Sequence, residues 1–296
     1  MSRRATFLLM LLAALGTAGP WVGSAQAQSA ERGAYIFAAA GCAGCHTDIK
    51  NKGQLLAGGR ALETPFGTYF GPNITADREH GIGGWSDADF IRAMRDGVSP
   101  GGGHYYPVFP YPSFTLMTDS DMRDLKAYIF SLPAAATPNR PHEIRFPFRF
   151  RFLMAVWKLL FFEPGAYAAD GARSAQWNRG AYIVRALGHC GECHTPRNFL
   201  GAVKTGRHLS GTKAGPDGEP VPNITPHRTT GIGGWTGDEI AQLLRSGETP
   251  LGDEVDGEMW EVVKNGTSKL TPGDLAAIAD YLKNIPAIAH QVFPGP

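Results

Sequence analysis

Two five-residue segments hold every cysteine of the chain: Cys42-Ala43-Gly44-Cys45-His46 and Cys190-Gly191-Glu192-Cys193-His194. In each, two thiols stand three residues apart and an imidazole follows at once. A disulfide within each segment is sterically possible but leaves the histidine unused, and three further chemistries use paired thiols in this way. A thioredoxin-like redox couple needs a βαβ setting, which neither segment has, and makes no use of the histidine. A four-cysteine zinc site would have to bring together two segments about 145 residues apart and would ignore both histidines. Covalent haem attachment uses all three side chains: the thiols add across the porphyrin vinyl groups and the adjacent imidazole binds iron. The spacing therefore predicts two c-type haems. Cys42, Cys45, Cys190 and Cys193 are the anchors, and His46 and His194 the proximal ligands.

A closed, electron-carrying haem needs a second axial ligand, commonly methionine. Beyond residue 27 the methionines are Met94, Met117, Met122, Met154 and Met259. Met259 follows His194 by 65 residues in a glycine-rich stretch, Gly257-Glu258-Met259, which predicts an irregular ligand loop. The first half offers no such residue: twelve positions before Thr118, where Met259 stands before Thr271, is Tyr106. Met117 is either the ligand of the first iron or a hydrophobic staple against Met122, as Leu270 would be against Leu275. Met122, Met154 and His104 are the alternatives.

The elements that must position these groups are written twice. Arg32-Gly33-Ala34-Tyr35-Ile36 returns as Arg179-Gly180-Ala181-Tyr182-Ile183, Pro72-Asn73-Ile74-Thr75 as Pro222-Asn223-Ile224-Thr225, and Gly81-Ile82-Gly83-Gly84-Trp85 as Gly231-Ile232-Gly233-Gly234-Trp235. The offsets of 147, 150 and 150 residues are those of duplicated domains, not of a solenoid. Each copy opens with a helix before the cysteine motif (near residues 30–40 and 177–187). A long Gly/Pro-rich stretch follows, then a short helix and a closing helix. Ser86 to Asp89, Thr118 to Asp121, Thr236 to Glu239 and Thr271 to Asp274 have the spacing of capping boxes. Met122, Leu125, Ile129 and Leu132 form an apolar stripe on one closing helix, and Leu275, Ile278, Leu282 and Ile285 its twin. Little reads as strand, so the fold class is mostly α. Trp85 and Trp235 suit porphyrin walls, Asn73 and Asn223 suit pins for a ligand loop or a propionate, and Arg60 and Arg207 suit propionate partners.

Residues 1–27 have the form of a signal peptide: Arg3 and Arg4, an apolar run, then Ala25-Gln26-Ala27. The run is shorter than the roughly 20 apolar residues of a membrane span. Removal of 27 of 296 residues leaves 269, and lowers the basic count from 28 to 26 against 27 acids, a net charge of −1. Such a balance gives no reason to expect a nucleic-acid partner, which calls for a clear excess of Lys and Arg. The organisation expected is a signal over 1–27, domains over 28–133 and 177–290, and a linker over 134–176. Within the linker, the aromatic and basic run from Phe146 to Phe162 either packs between the domains or meets a membrane surface or partner.

The order of haem motif, Gly58-Gly59-Arg60, Pro72 to Thr75, Gly81 to Trp85, Tyr105 to Tyr111, then Trp177 to Tyr182 and Gly188 to Asn198 resembles the cytochrome c subunits of bacterial periplasmic dehydrogenases. The alcohol dehydrogenase cytochrome subunit is one of these. The resemblance implies two class I cytochrome c domains in tandem, located in the periplasm and associated with the inner membrane. It implies a periplasmic or membrane-bound dehydrogenase as electron donor and quinone or a terminal oxidase chain as acceptor. Such a protein is a carrier and not itself an enzyme. The sequence departs from alcohol dehydrogenase subunits in having two haem motifs where three are usual, and Phe109 where methionine often stands. An open first iron would instead suit a diheme peroxidase, a thiosulfate dehydrogenase or a small-ligand sensor, which carbon monoxide binding to the reduced protein would reveal. The mass of the exported protein should exceed that of its chain by two haems, with no disulfide. Cys190→Ala should impair attachment of one haem and spare the other; loss of both together would count against separate domains.

Overall fold

The computed structural model describes residues 28–215 and 218–293, so the expected signal segment lies outside the described residues. The chain is mostly helical with one small sheet. In the first half, α1 (Ala30–Ala39) leads into α2 (Cys42–His46), and β1 (Ala61–Thr64) and β2 (Gly67–Phe70) follow. Then come α3 (Asp87–Asp96), α4 (Tyr111–Phe114) and α5 (Asp119–Ser131). The connecting segment carries β3 (Glu143–Ile144) and α6 (Leu153–Phe161). The second half has α7 (Ala175–Tyr182), continued by a π-helical turn over Ile183–Leu187, then α8 (Gly191–His194), α9 (Gly237–Ser246), α10 (Gly257–Asn265) and α11 (Pro272–Lys283). The sheet is an addition to the helical expectation. It is antiparallel in the order β1-β2-β3, with Leu62 opposite Tyr69 and Thr68 opposite Glu143, and it ties the first half to the connecting segment.

The opening helix of each half packs on its closing helix, α1 on α5 and α7 on α11. The repeated Arg-Gly-Ala-Tyr explains how closely. A Cβ on Gly33 would lie 1.9 Å from the Asp124 carbonyl oxygen, and one on Gly180 would lie 1.9 Å from that of Ala277. Only glycine permits either crossing. Of the predicted stripes, Met122, Leu125, Ile129, Leu275, Ile278 and Leu282 are buried, and Leu132 and Ile285 at the helix ends are half-buried. One apolar cluster takes in residues of both halves, from Ile36 and Leu125 to Ala181 and Leu275. Burial of this kind is the main favourable contribution to the fold, about 25 cal/mol per Å² of apolar surface removed from water.

The caps of α3 and α9 are the predicted capping boxes, Ser86 with Asp89 and Thr236 with Glu239. Those of α5 and α11 differ. The Thr118 and Thr271 hydroxyls accept from the Asp121 and Asp274 N–H groups as expected. The reciprocal half of each box, however, is opened by a tyrosine from the other half of the chain. The Thr118 N–H donates to Tyr182 Oη (3.1 Å), and that hydroxyl donates to Asp121 (2.5 Å). The Thr271 N–H donates to Tyr35 Oη (3.1 Å), and that hydroxyl donates to Asp274 (2.5 Å). Each aspartate also holds the arginine of its own half, Arg32 on Asp121 and Arg179 on Asp274. The two halves thus exchange caps.

Burial would raise the Asp274 carboxyl, but the hydrogen bonds from Arg179 and Tyr35 and the charge of Arg179 outweigh it and hold the group below the usual carboxylate range. A carboxyl depressed in this way contributes stability that is complete above its unfolded pKa of about 4 and is lost as pH falls through the folded value. Arg179→Gln should therefore flatten the acid limb of a pH–stability curve. Tyr35→Phe and Tyr182→Phe should each lower stability by about 1–2 kcal/mol by leaving an N-cap N–H without its acceptor. Denaturant titration of the haem-loaded variants reads all three.

Candidate functional site

Each cysteine motif forms a short helix, so its two thiols lie on one turn with the histidine at the end. What aims the histidine lies elsewhere in the chain. His46 Nδ1 is 2.7 Å from the carbonyl oxygen of Pro72, and His194 Nδ1 is 2.8 Å from that of Pro222. A carbonyl only accepts, so Nδ1 carries the proton and Nε2 is the nitrogen left for a metal. Burial lowers the pKa of both imidazoles although these hydrogen bonds oppose it, which favours the neutral, ligating form. The motif is also fixed by its backbone: the His46 carbonyl accepts from Gly58 (2.8 Å), and that of His194 from Gly211 (2.7 Å).

The repeated Pro-Asn-Ile-Thr is the support behind that carbonyl. Asn73 and Asn223 are buried, and their Oδ1 atoms accept from the N–H and hydroxyl of Thr75 and Thr225. Their amide groups donate to the chain beyond the closing helix, at Ala135 (2.7 Å) and Ile288 (2.8 Å). Both asparagines therefore pin the turn that holds the histidine, and neither is spent on a ligand loop.

The thiols keep some exposed surface but are crowded by protein, and burial pushes Cys42 and Cys193 up to about 12 and Cys190 up to about 11. None of the four is in a disulfide, so both thiols of each turn are free for thioether formation. Among the described residues there is no cluster of three or more His, Cys, Asp or Glu that could hold a metal ion. Beside the second turn, Arg207 Nε and His208 Nε2 are buried without a hydrogen-bond partner, whereas Leu209 and Gly211 bond back to Thr195 and His194. An orphaned guanidinium nitrogen next to the attachment turn fits a propionate-bearing group, as expected for Arg207. Arg60 does not take that part. It is paired with Glu261 (2.6 Å) and Glu258 (2.9 Å) of α10 and joins the two halves.

The candidate axial ligands differ more from expectation. Met259 is not in an irregular loop; it sits in the first turn of α10, half-buried against the main apolar cluster. Its counterpart in the first half is set by matching backbone contacts. Val98 bridges His104 as Glu248 bridges Glu254, and the Tyr105 N–H donates to Gly97 as the Val255 N–H donates to Gly247, both at 2.8 Å. This offset of 150 residues places Phe109 opposite Met259. Tyr106 is not the equivalent residue, because the second half has three more residues between this point and its closing helix, where a short turn runs over Thr267–Lys269. Met117 and Met122 are both fully buried in the cluster that Cys42 also touches, and Arg95 holds the Met117 carbonyl at 2.8 Å. Met154 belongs to a different cluster with Tyr106 and Trp157, and His104 Nδ1 lies 3.1 Å from Lys158 Nζ. Trp85 and Trp235 pack half-buried against the main cluster.

A cytochrome c family profile matches residues 30–133. A diheme cytochrome c-type protein of Cereibacter sphaeroides is 42% identical, over 97% of this chain and 100% of that protein. The chain belongs to the cytochrome c family. It is also 38% identical to the fructose dehydrogenase cytochrome subunit of Gluconobacter japonicus, over 92% of this chain and 56% of that one. To the cytochrome c subunit of the quinone alcohol dehydrogenase of Gluconobacter oxydans it is 36% identical, over 94% and 60%. The chain thus spans less than two thirds of these dehydrogenase subunits. As a diheme c-type cytochrome it carries two covalent haem c groups on Cys42, Cys45, Cys190 and Cys193, and it is an electron-transfer protein and not a catalyst.

The placement of the methionines sets a spectroscopic expectation. Met259→Ala should abolish one methionine-to-iron charge-transfer band. If Met117 holds the first iron, Met117→Ala should remove a second band. If it is only a staple, the spectrum should stay unchanged and stability should fall by about 2–4 kcal/mol, the loss typical of a buried methionine. In that case Phe109→Met should add a band.

Proposed function

We propose that this cytochrome works in the periplasm as the electron-transfer partner of a dehydrogenase, taking its electrons and passing them to quinone or a terminal oxidase at the inner membrane. The observation that carries this reading is the matched pair of imidazoles, each with Nδ1 on a proline carbonyl and Nε2 left for iron. Bound haem supplies one-electron exchange between ferrous and ferric iron; the protein supplies attachment, orientation and a dry surrounding. The two halves act as class I cytochrome c domains in tandem, joined by the aromatic segment, which also gives the protein its contact with the membrane surface.

The chain's own residues account for the carrier's stiffness. His46 and His194 are held from both ends, by the proline carbonyl at the ring and by Gly58 or Gly211 at the backbone. Little has to move when an electron arrives, and small reorganisation favours fast transfer. Similarity to cytochrome subunits of fructose and alcohol dehydrogenases supports a dehydrogenase of that general kind as donor.

The haem-loaded protein should be reduced by such a dehydrogenase in the presence of its substrate and reoxidised by a quinone analogue. It should show no steady turnover of peroxide or thiosulfate by itself. Enzyme-like rates with either, in the absence of a partner, would replace the carrier reading with a catalytic one.

A further inference from the structure

The connecting segment has a surface that the haem sites leave unexplained. Helix α6 is anchored on one side only. Met154 and Trp157 are buried, the Trp157 indole donates to the Leu200 carbonyl (2.9 Å), and Lys158 turns inward to the Asp96 and Gly97 carbonyls at 2.6 and 2.8 Å. The opposite side is bare. Leu159 is 85% exposed, Phe146 72%, Phe152 68% and Leu160 61%, with Val156 and Phe150 also exposed. Large apolar side chains this exposed, this close in sequence and held by a rigid base mark an interaction surface.

Its charge selects the partner. Between residues 140 and 162 there are five basic residues and one acid, Glu143. Lys158 is used internally, but Arg140, Arg145, Arg149 and Arg151 are exposed, and none of the four forms a salt bridge among the described residues. Arg149 lies over the rings of Phe146 and Phe150 at 5.9 and 5.5 Å, so cation and aromatic are interleaved. The rest of the molecule does not share this excess, since the whole chain carries a net charge of only +1.

We propose that the segment from Phe146 to Phe161 inserts into the headgroup layer of an anionic phospholipid bilayer, with its arginines on the lipid phosphates. α6 has nine residues, and no described helix is long and apolar enough to cross a membrane, so the segment lies in the interface. Aromatic rings suit the headgroup region and guanidinium groups suit phosphate. The Trp157 bond to Leu200 carries the docking into the second half, where neighbouring Phe199 is 87% exposed. The bilayer would thus hold both halves in one orientation. This deepens the membrane contact proposed above and rests on it, but it does not depend on the identity of the donor.

Co-sedimentation of the exported, haem-loaded protein with vesicles tests the idea. Vesicles of phosphatidylcholine alone are compared with vesicles that also contain phosphatidylglycerol, at low and high salt. Binding is expected on the anionic vesicles and should weaken with salt. Leu159→Glu/Leu160→Glu should weaken it by about tenfold or more. Arg145→Gln/Arg149→Gln should weaken it by about fivefold for each arginine removed. Both pairs are exposed, and an unchanged visible spectrum and haem content would show that the fold is intact. Failure to bind anionic vesicles, or equal binding by wild type and both variants, would overturn the proposal. So would a dimer in light scattering that Leu159→Glu/Leu160→Glu dissolves, since a second copy would then be the occupant. Reduction by the dehydrogenase in solution, measured separately, tells failure of the membrane contact from failure of the carrier reading.

Discussion

The fold is organised around one requirement: the imidazole after each cysteine pair must present a single nitrogen in a fixed direction. A five-residue turn cannot do this alone. The proline carbonyl some 26–28 residues on fixes the ring. A buried asparagine fixes the proline turn, and that asparagine is fixed by the chain that leaves the closing helix. The closing helix is in turn set against the opening helix through Gly33 or Gly180. The order of these supports explains why a glycine- and proline-rich chain can hold a rigid site. Few of the links are long elements, but the two asparagine side chains at their centre are buried, where an unsatisfied polar group would cost about 1–3 kcal/mol.

Duplication adds a second constraint, because each half carries a tyrosine that serves the other. Tyr35 and Tyr182 occupy equivalent places on α1 and α7, and each caps the closing helix of the opposite half. The same favourable contact is thus made twice, once in each direction. Arg60 on α10 and Ser113 on Glu192 (2.7 Å) add further ties between the halves, and both lie close to elements that bear cysteine or methionine. The two iron sites are therefore joined through polar contacts as well as through a common apolar core.

Much of this could be read from the sequence where the signal is local. The Cys-x-x-Cys-His spacing gives the attachment turns, and hydroxyl–carboxylate pairs at three-residue spacing mark the starts of α3, α5, α9 and α11. What could not be read involves partners far apart in the chain. Nothing in Thr118-Asp119-Ser120-Asp121 says that a tyrosine 61 residues later will open the box. Gly257 suggests a loop, but Val263 of the same segment is buried and Met259 packs on the main apolar cluster, and α10 forms. Arg60 looked like a propionate partner because sequence alone cannot place Glu258 and Glu261 beside it. The three-residue difference ahead of the closing helices hid the match between Phe109 and Met259. Counting back from the cap gives Tyr106, whereas the 150-residue offset of the upstream repeats, which the backbone bridges at Gly97 and Gly247 carry to this point, gives Phe109.

That match shows where the halves have diverged and what the divergence serves. Their histidine sides are nearly the same; their opposite sides are not. In the second half the segment after the bridge is a helix bearing Met259, with Trp260 against Gly247. In the first half the same segment runs Tyr105 to Tyr111 and is given over to seating the connecting segment. Tyr106 donates to the Arg149 carbonyl (3.0 Å), Tyr111 stacks edge-on with Phe162 at 5.0 Å, and Lys158 lies 4.6 Å above the Tyr111 ring. Phe109 completes this aromatic group, 5.6 Å from Tyr105 and 5.8 Å from Phe114. Phe109 stands where the second half has Met259, and it packs against the cluster of Tyr106, Tyr111, Met154 and Trp157. In the first half this loop is thus the foundation of the segment that carries the exposed face of α6. The same stretch of chain is a methionine-bearing helix in one half and an aromatic seat for the connecting segment in the other.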